Sequence, residues 1–265
     1  MSTPLDDVEF LAASENRVRV LTYLQETAAS RQELHEGTGV SRSTLSRCLS
    51  GLQERGWITQ SGSQCEITPL GRFFVDEFTE LLRMAEGIRT LRHLETSLPI
   101  AEMDIDPRRF ADATVTVVTP ADPTAPMRRT KQLIRRADHV RLTTGLFEGP
   151  LVEVLWDRTV HGDLTALVVV SDEVIETVRD NAEMARMLRE TLRTEQVELL
   201  RSKGVVPHIV VLVDDSRGCV LVRDDNGVVR GELDTDDAAF RSWVASTIEE
   251  QRRDATPVTT DAFTV

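Results

Sequence analysis

The chain has 265 residues, 40% of them hydrophobic, 28% charged and 5% aromatic, and 44 acidic against 31 basic side chains leave a net charge of −13. That is length enough for two modest cores and too polar for a membrane protein, since no stretch approaches the ~20 uninterrupted apolar residues of a spanning helix. The first seven residues have neither the basic nor the apolar part of a secretory signal, so the chain is expected in the cytoplasm.

Cys48, Cys65 and Cys219 form no Cys-x-x-Cys pair, and the five histidines stand far from them in sequence. A disulfide framework is thereby excluded, and neither a metal nor a cofactor is expected. Of the 31 basic residues 29 are Arg, the exceptions being Lys131 and Lys203. An acid excess spread along the whole chain, with Lys nearly absent, resembles the proteins of salt-in halophiles such as haloarchaea. In molar salt the Debye length falls to ~3 Å, so the carboxylates mainly keep the surface hydrated. Negative net charge therefore does not exclude a nucleic-acid partner.

Residues 7–27 hold two helical patterns broken near Ser14-Glu15-Asn16; in the second, Val18, Leu21 and Leu24 recur at helical spacing. Ser30 followed by Glu33 is a capping box that opens a short helix through Glu36, which Gly37-Thr38-Gly39 ends. Ser41 caps the next helix, running to Gly56 with Leu45, Leu49 and Leu52 on one stripe. Short helix, glycine turn and capped helix are the parts of a helix-turn-helix. Residues 57–60, 61–64 and 65–68 then read as strand, turn and strand, the place of a wing. The segment from Arg17 to Gly71 resembles archaeal and bacterial winged-helix regulators, through Leu34, Gly39, Val40, Ser41, Ser43, Thr44, Ser46, Arg47 and Leu49.

Such a helix enters the major groove with short hydrogen-bonding side chains and an Arg that forks onto a guanine edge or a phosphate. Ser41, Arg42, Ser43, Thr44, Ser46 and Arg47 are accordingly the candidate contacts to double-stranded DNA, with Ser61, Ser63 and Gln64 of the wing beside them. Ser41 and Thr44 suit plain helix capping as well. Residues 41–55 carry Arg42, Arg47 and Arg55 against Glu54, a local excess of positive charge in an acidic chain. Cys48 and Cys65 read either as core filler or as a thiol switch.

From Pro69 a long helical pattern runs to about Glu95. Along it Phe74, Phe78, Leu81, Ala85 and Ile88 alternate spacings of four and three, the seam of a homodimer or of a helix laid on its own chain. Palindromic operators favour the dimer. Leu98-Pro99 marks a boundary, giving a DNA-binding domain over 1–70, a connector over 71–98 and a third segment over 99–265.

In that segment strands are expected over 113–119, 140–144, 164–171, 205–213, 219–222 and 228–233. Helices are expected from 127 to about 137, over 150–161, from 172 to about 179, from 183 to about 203, and over 236–252. The alternation predicts an α/β fold, α+β overall, whose sheet is mixed because tight turns join the last three strands. Asp214, Asp215, Asp224 and Asp225 fall in those turns, where Asp serves backbone geometry.

The run Asp104-x-Asp106, Phe110-Ala111-Asp112-Ala113, Thr119-Pro120 and Pro126, following Ile67-Thr68-Pro69-Leu70-Gly71-Arg72, resembles archaeal regulators that share the effector domain of the methanogen filament-formation regulator. The resemblance implies a phospholipase D-like shape that binds a ligand or partner. Turnover is not expected, because the His-x-Lys pair of that chemistry is missing: Arg129 and Arg201 stand two residues before the two lysines. Phosphate-loop, dinucleotide, zincin and nucleophile-elbow motifs are also absent. Pockets of α/β sheets open at the carboxyl ends of strands, which nominates Thr119, Thr143, Thr144, Gly145 and Ser171, with Arg128 to pair an anion. The expected function is a dimeric, sequence-specific transcription regulator modulated by a small metabolite or protein. The alternative is a second domain that serves only as a dimerisation or docking platform.

Overall fold

The computed structural model describes residues 3–94, 98–224 and 226–263. Glu95, where the long helix was expected to end, and Asp225, in an expected turn, lie outside the described residues. The chain divides into two compact units, Met1–Met84 and Ala85–Val265.

In the first unit α1 (Pro4–Ala12), α2 (Glu15–Glu26), β1 (Ala29–Ser30), α3 (Arg31–Thr38), α4 (Arg42–Glu54), β2 (Ile58–Ser61) and β3 (Gln64–Ile67) precede the long α5 (Pro69–Leu91). Ser30 and Glu33 form the expected capping box, and Gly39, at φ 70°, stops α3 in the left-handed conformation that glycine adopts without strain. The leucine stripes of α2, α3 and α4 close on one another, with Leu21, Leu24, Leu34, Leu45, Leu49 and Leu52 all buried. The wing pairs Ile58 to Ile67 and Ser61 to Gln64, and β1 adds to its far edge, giving the order β1-β3-β2.

Trp57 ties this unit together. Its ring stacks on Phe74 of α5 at 4.4 Å and meets Phe10 of α1 edge-on at 5.8 Å. Its carbonyl accepts from Thr68 N at 2.9 Å, while Thr68 Oγ1 accepts from Gly71 N at 3.0 Å and so caps α5. A Cβ on Gly71 would stand 2.1 Å from the Trp57 oxygen, so the wing and the start of α5 meet only because this position has no side chain.

The second unit begins in the last turns of α5, earlier than Leu98-Pro99, because Leu91, Leu94 and Leu98 are buried in its core. It continues as α6 (Ile100–Met103), a 3-10 turn (Pro107–Phe110), β4 (Thr114–Val117), α7 (Ala125–Arg135), β5 (His139–Thr144), α8 (Gly149–Val160), β6 (Thr165–Val170), α9 (Asp172–Arg179), α10 (Ala182–Arg193), β7 (Val197–Arg201), β8 (Ile209–Val213), β9 (Arg217–Arg223), β10 (Val229–Thr235), α11 (Ala238–Arg253) and β11 (Thr256–Pro257). The sheet order is β11-β7-β6-β5-β8-β9-β10-β4. The β5-β6-β7 neighbours are parallel, and every other pairing in the sheet is antiparallel. One face packs on α7 to α10 through Ile134, Val154, Ile175 and Ala185; the other packs on α11 and the 3-10 turn through Phe240, Val244, Ile248 and Phe110.

Two expectations fail here. The single helix over 183–203 is a helix and a strand: Glu195, at φ 59°, breaks the chain after α10, and β7 follows. Leu, Glu and Arg favour a helix locally, but Val197, Leu199 and Leu200 gain burial beside β6, and that burial overrides propensity. The strand expected over 205–213 starts only at Ile209, leaving Val205 84% exposed.

Inside the sheet, Glu232 and Asp234 of β10 are completely buried. Asp234 receives Arg129 at 2.8 and 3.0 Å and also Arg217; against burial, which pushes it up, these guanidiniums hold its carboxyl below the usual range. Glu232 accepts from the Cys219 thiol at 3.3 Å, and no donor satisfies its second oxygen. Burial, and then the charge of Asp234, push Glu232 up to about 8.

Gly71→Ala is expected to lower stability by ~1–3 kcal/mol, the cost of overpacking a tight contact, read as a fall in the denaturant midpoint of the first unit. In the fold Glu232 keeps a proton that an unfolded glutamate loses near its ordinary value of 4.5, so its contribution to stability falls as pH rises from about 4.5 to about 8. Glu232→Gln has no proton to lose. Its melting temperature is expected to match the parent near pH 5 and exceed it at pH 8; equal pH profiles for the two chains would show Glu232 ionised in the fold.

Candidate nucleic-acid interface and ligand clefts

Ser41 opens α4. Its hydroxyl accepts from Thr44 N at 3.3 Å and donates to Thr44 Oγ1 at 3.0 Å, so this pair performs the capping that the sequence allowed. Arg42, Ser43, Ser46 and Arg47 are exposed, while Leu45, Cys48 and Leu49 face the core. Helical spacing thus sorts the candidates onto the outer face of α4. On the wing Ser61, Ser63 and Gln64 are exposed around Gly62, whose φ of 61° lets the hairpin turn in two residues.

The arginines of this unit divide by partner. Arg17 donates to the Phe10 carbonyl at 2.6 Å, Arg19 donates to the Thr38 carbonyl at 3.3 Å, and Arg55 pairs with Asp7 at 3.1 Å and lies over the Phe10 ring. Arg42 and Arg47 have no carboxylate partner among the described residues. Arg31, which the sequence reading passed over, joins them: its guanidinium donates only to Gln60 of the wing, at 3.4 Å. Arg31, Gln32, Arg42 and Ser46 border one concavity of about 390 Å³. A signal for Arg31 was present in the sequence. Arg31 and Arg42 each occupy the first position of a helix, where a cation opposes the helix dipole and an anion such as phosphate is favoured.

Cys48 and Cys65 are buried, and burial pushes both thiols up, away from the thiolate a redox switch needs. Core packing is the role their surroundings support.

In the second unit the ligand candidates form two groups. Thr119 accepts from Asp122 N at 3.1 Å and Arg128 forks onto the Asp122 carboxylate, so both hold the turn before α7. Thr144 donates to the Leu146 carbonyl at 2.7 Å, and Ser171 donates to the Gly145 carbonyl at 3.3 Å, at the carboxyl ends of β5 and β6. Thr143 belongs to neither group: strand alternation turns it to the opposite face from Thr144, fully buried and with no partner for its hydroxyl.

Each group borders a cleft. Gly145 and Ser171 line one of about 500 Å³ with Ser202, Lys203, Val206 and Arg223. Arg128 lines one of about 590 Å³ along α7, into which Glu148 also reaches. Burial pushes the Glu148 carboxyl up. The turn aspartates are engaged with the backbone: Asp214 accepts from Asp138 N and His139 N, and Asp224 from Asn226 N and Val228 N. Among the described residues no cluster of three or more His, Cys, Asp or Glu is placed to hold a metal ion, and no helix is long and apolar enough to cross a membrane.

Residues 5–90 match the family model "HVO_A0261 N-terminal domain", and residues 123–254 match "Methanogenesis regulatory protein FilR1, middle domain". No curated protein matches the chain. Among solved structures, the archaeal chromatin protein TrmBL2, described as showing a novel mode of DNA binding, is 12% identical over 97% of this chain and 100% of its own, with a TM-score of 0.40. The phospholipase D family member Nuc from Salmonella typhimurium is 9% identical over 56% of this chain and 99% of its own, with a TM-score of 0.43. NucT from Helicobacter pylori is 12% identical over the same shares, also with a TM-score of 0.43. Both matched models describe domains, and together they take in the winged helix and most of the sheet with its covering helices.

Proposed function

We propose that this protein is a homodimeric, sequence-specific transcription regulator of a halophilic archaeon, whose second unit binds an effector and does not turn it over. The observation that carries the reading is the set Arg31, Arg42 and Arg47. In a chain of net charge −13, three arginines with no carboxylate partner among the described residues stand at the exposed start of one helix and along the outer face of the next. Ser43 and Ser46, exposed between them, supply the short donors and acceptors that reach base edges. At molar salt counterion release gives little, so affinity rests on these hydrogen bonds and on fit in the groove.

The dimer is proposed through α5. The expected seam splits: Phe78 is buried in its own unit, whereas Leu81 and Ile88 are each 53% exposed. Leu81 and Ile88, seven residues apart, fall on one stripe of the helix, an apolar surface that a second copy would remove from water. An effector acts in such a dimer by preferring one of two geometries that bind DNA differently.

The test is genome-wide occupancy in the protein's own cells, with Arg42→Ala/Arg47→Ala as control. Sharp promoter peaks that vanish in the control are expected; indistinguishable profiles would refute the DNA-reading assignment. On a fragment recovered from such a peak, Arg47→Ala is expected to cost ~1–3 kcal/mol if it reads a guanine, and an equal loss on unrelated DNA would make it a phosphate contact. Leu81→Glu with Ile88→Glu is expected to convert the dimer to monomer in sedimentation without lowering helicity. A parent chain that sediments as a monomer would rule the α5 dimer out.

A further inference from the structure

Residues 125–136 are a strongly basic stretch of this acidic chain, carrying Arg128, Arg129, Lys131, Arg135 and Arg136 with no carboxylate among them. Arg129 turns inward to Asp234. Arg128, Lys131 and Arg135 repeat at three and four residues and form one stripe of α7. Arg128 is held by Asp122, Lys131 reaches Glu153 at 3.2 Å, and Arg135 has no ion-pair partner among the described residues. In a chain that keeps only two lysines, one of them stands in this stripe.

The stripe is one wall of the open cleft of about 590 Å³; Pro123, Pro126, Pro150, Val229 and Val228, the last 50% exposed, line much of the rest, and Glu148 lines it as well. That volume lies within the ~300–1,000 Å³ of small-molecule sites. An exposed valine and a proline lining the same cleft as a row of cations match a ligand with an apolar body and an anionic end. A bare anion would leave the apolar wall wet, and a neutral hydrocarbon would leave Arg135 unpaired.

We propose that the cleft along α7 binds an amphipathic organic anion, its carboxylate, sulfonate or phosphate set against Lys131 and Arg135 and its apolar body against Pro150 and Val228. The proposal rests on the reading of the second unit as an effector-binding domain and gives that reading a place and a ligand class.

The test titrates the full chain in molar KCl with 8-anilinonaphthalene-1-sulfonate, an aromatic sulfonate that fluoresces when bound. Saturable binding is expected, weakened roughly tenfold or more by Arg135→Glu and by Val228→Asp, the loss of one charge-assisted or apolar contact. Both positions are solvent-accessible, so the variants fold, as an unchanged melting temperature would verify. Leu5→Glu, on the exposed side of α1, is expected to leave the affinity unchanged. Hexanoate is expected to displace the probe and inorganic phosphate not to.

Parent-like affinity in both cleft variants, or displacement by phosphate as readily as by hexanoate, would overturn the proposal. The effector reading fails separately. If hexanoate binds the cleft and leaves affinity for the recovered promoter fragment unchanged, the cleft stands and the effector role falls. If hexanoate changes that DNA affinity equally in the parent and in Arg135→Glu, the effector role stands and the cleft falls.

Discussion

An arginine on this chain lives among a surplus of carboxylates, and what it is left facing decides what it does. Arg129 and Arg217 are bound to a buried aspartate, the first fixing α7 to the sheet and the second tying β9 to β10. Arg55, paired with Asp7 and laid over Phe10, fastens the end of α4 to α1. Such pairs are structural because their partners are part of the same unit. Arg31, Arg42 and Arg47 are set where no carboxylate pairs with them among the described residues, and the unit thereby keeps a cationic surface that its composition would otherwise neutralise. A free guanidinium at a helix start is locally unfavourable. Local rules tend to be broken at functional sites, and here two helices break the same rule at the same surface.

Close approach is the second constraint. The wing is useful only if its hairpin is held at a fixed angle to α4, and the fixing element is Trp57, packed between Phe10 and Phe74 with its carbonyl against the start of α5. Thr68 and Gly71 make that approach possible, one by capping the helix through its hydroxyl and the other by having no Cβ. The candidate DNA surface therefore depends on a packing arrangement on the opposite side of the wing. A nucleic-acid contact made by short side chains tolerates little error in backbone position, which gives this arrangement its importance to the candidate surface.

The second unit solves a different problem. Its sheet buries two acidic side chains on one strand, and their environments drive them apart: two guanidiniums keep Asp234 ionised, while Glu232, with a thiol for company, holds its proton. A single negative charge, not two, is thus carried inside, the arrangement that costs less in a low dielectric. Asp234 also anchors the inward side of α7, whose outward side borders the cleft, so the same helix is rigidly seated and presents the basic stripe.

Much of the first unit was legible in the sequence because its signals are local. Ser30 with Glu33, Gly39, Ser41 and the leucine spacing act within a few residues, and each fixes an element wherever it is placed. The sequence alone likewise determined the alternation of strands and helices beyond residue 110, the absence of the His-x-Lys pair, and the residue types of the outer face of α4. It did not determine which candidates would meet. Thr143 and Thr144 are neighbours in sequence and lie on opposite faces of the sheet; Thr119 and Arg128 went to one turn and Ser171 to another. Residues 197–201 carry helix-favouring side chains and became a strand because β6 offered an unpaired edge. Arg31 came to the wing through Gln60, 29 residues further along the chain. Pairing, facing and cleft walls are set by contacts between distant segments, and the free energy of burying Val197 or of seating Arg129 on Asp234 exists only once those segments have met.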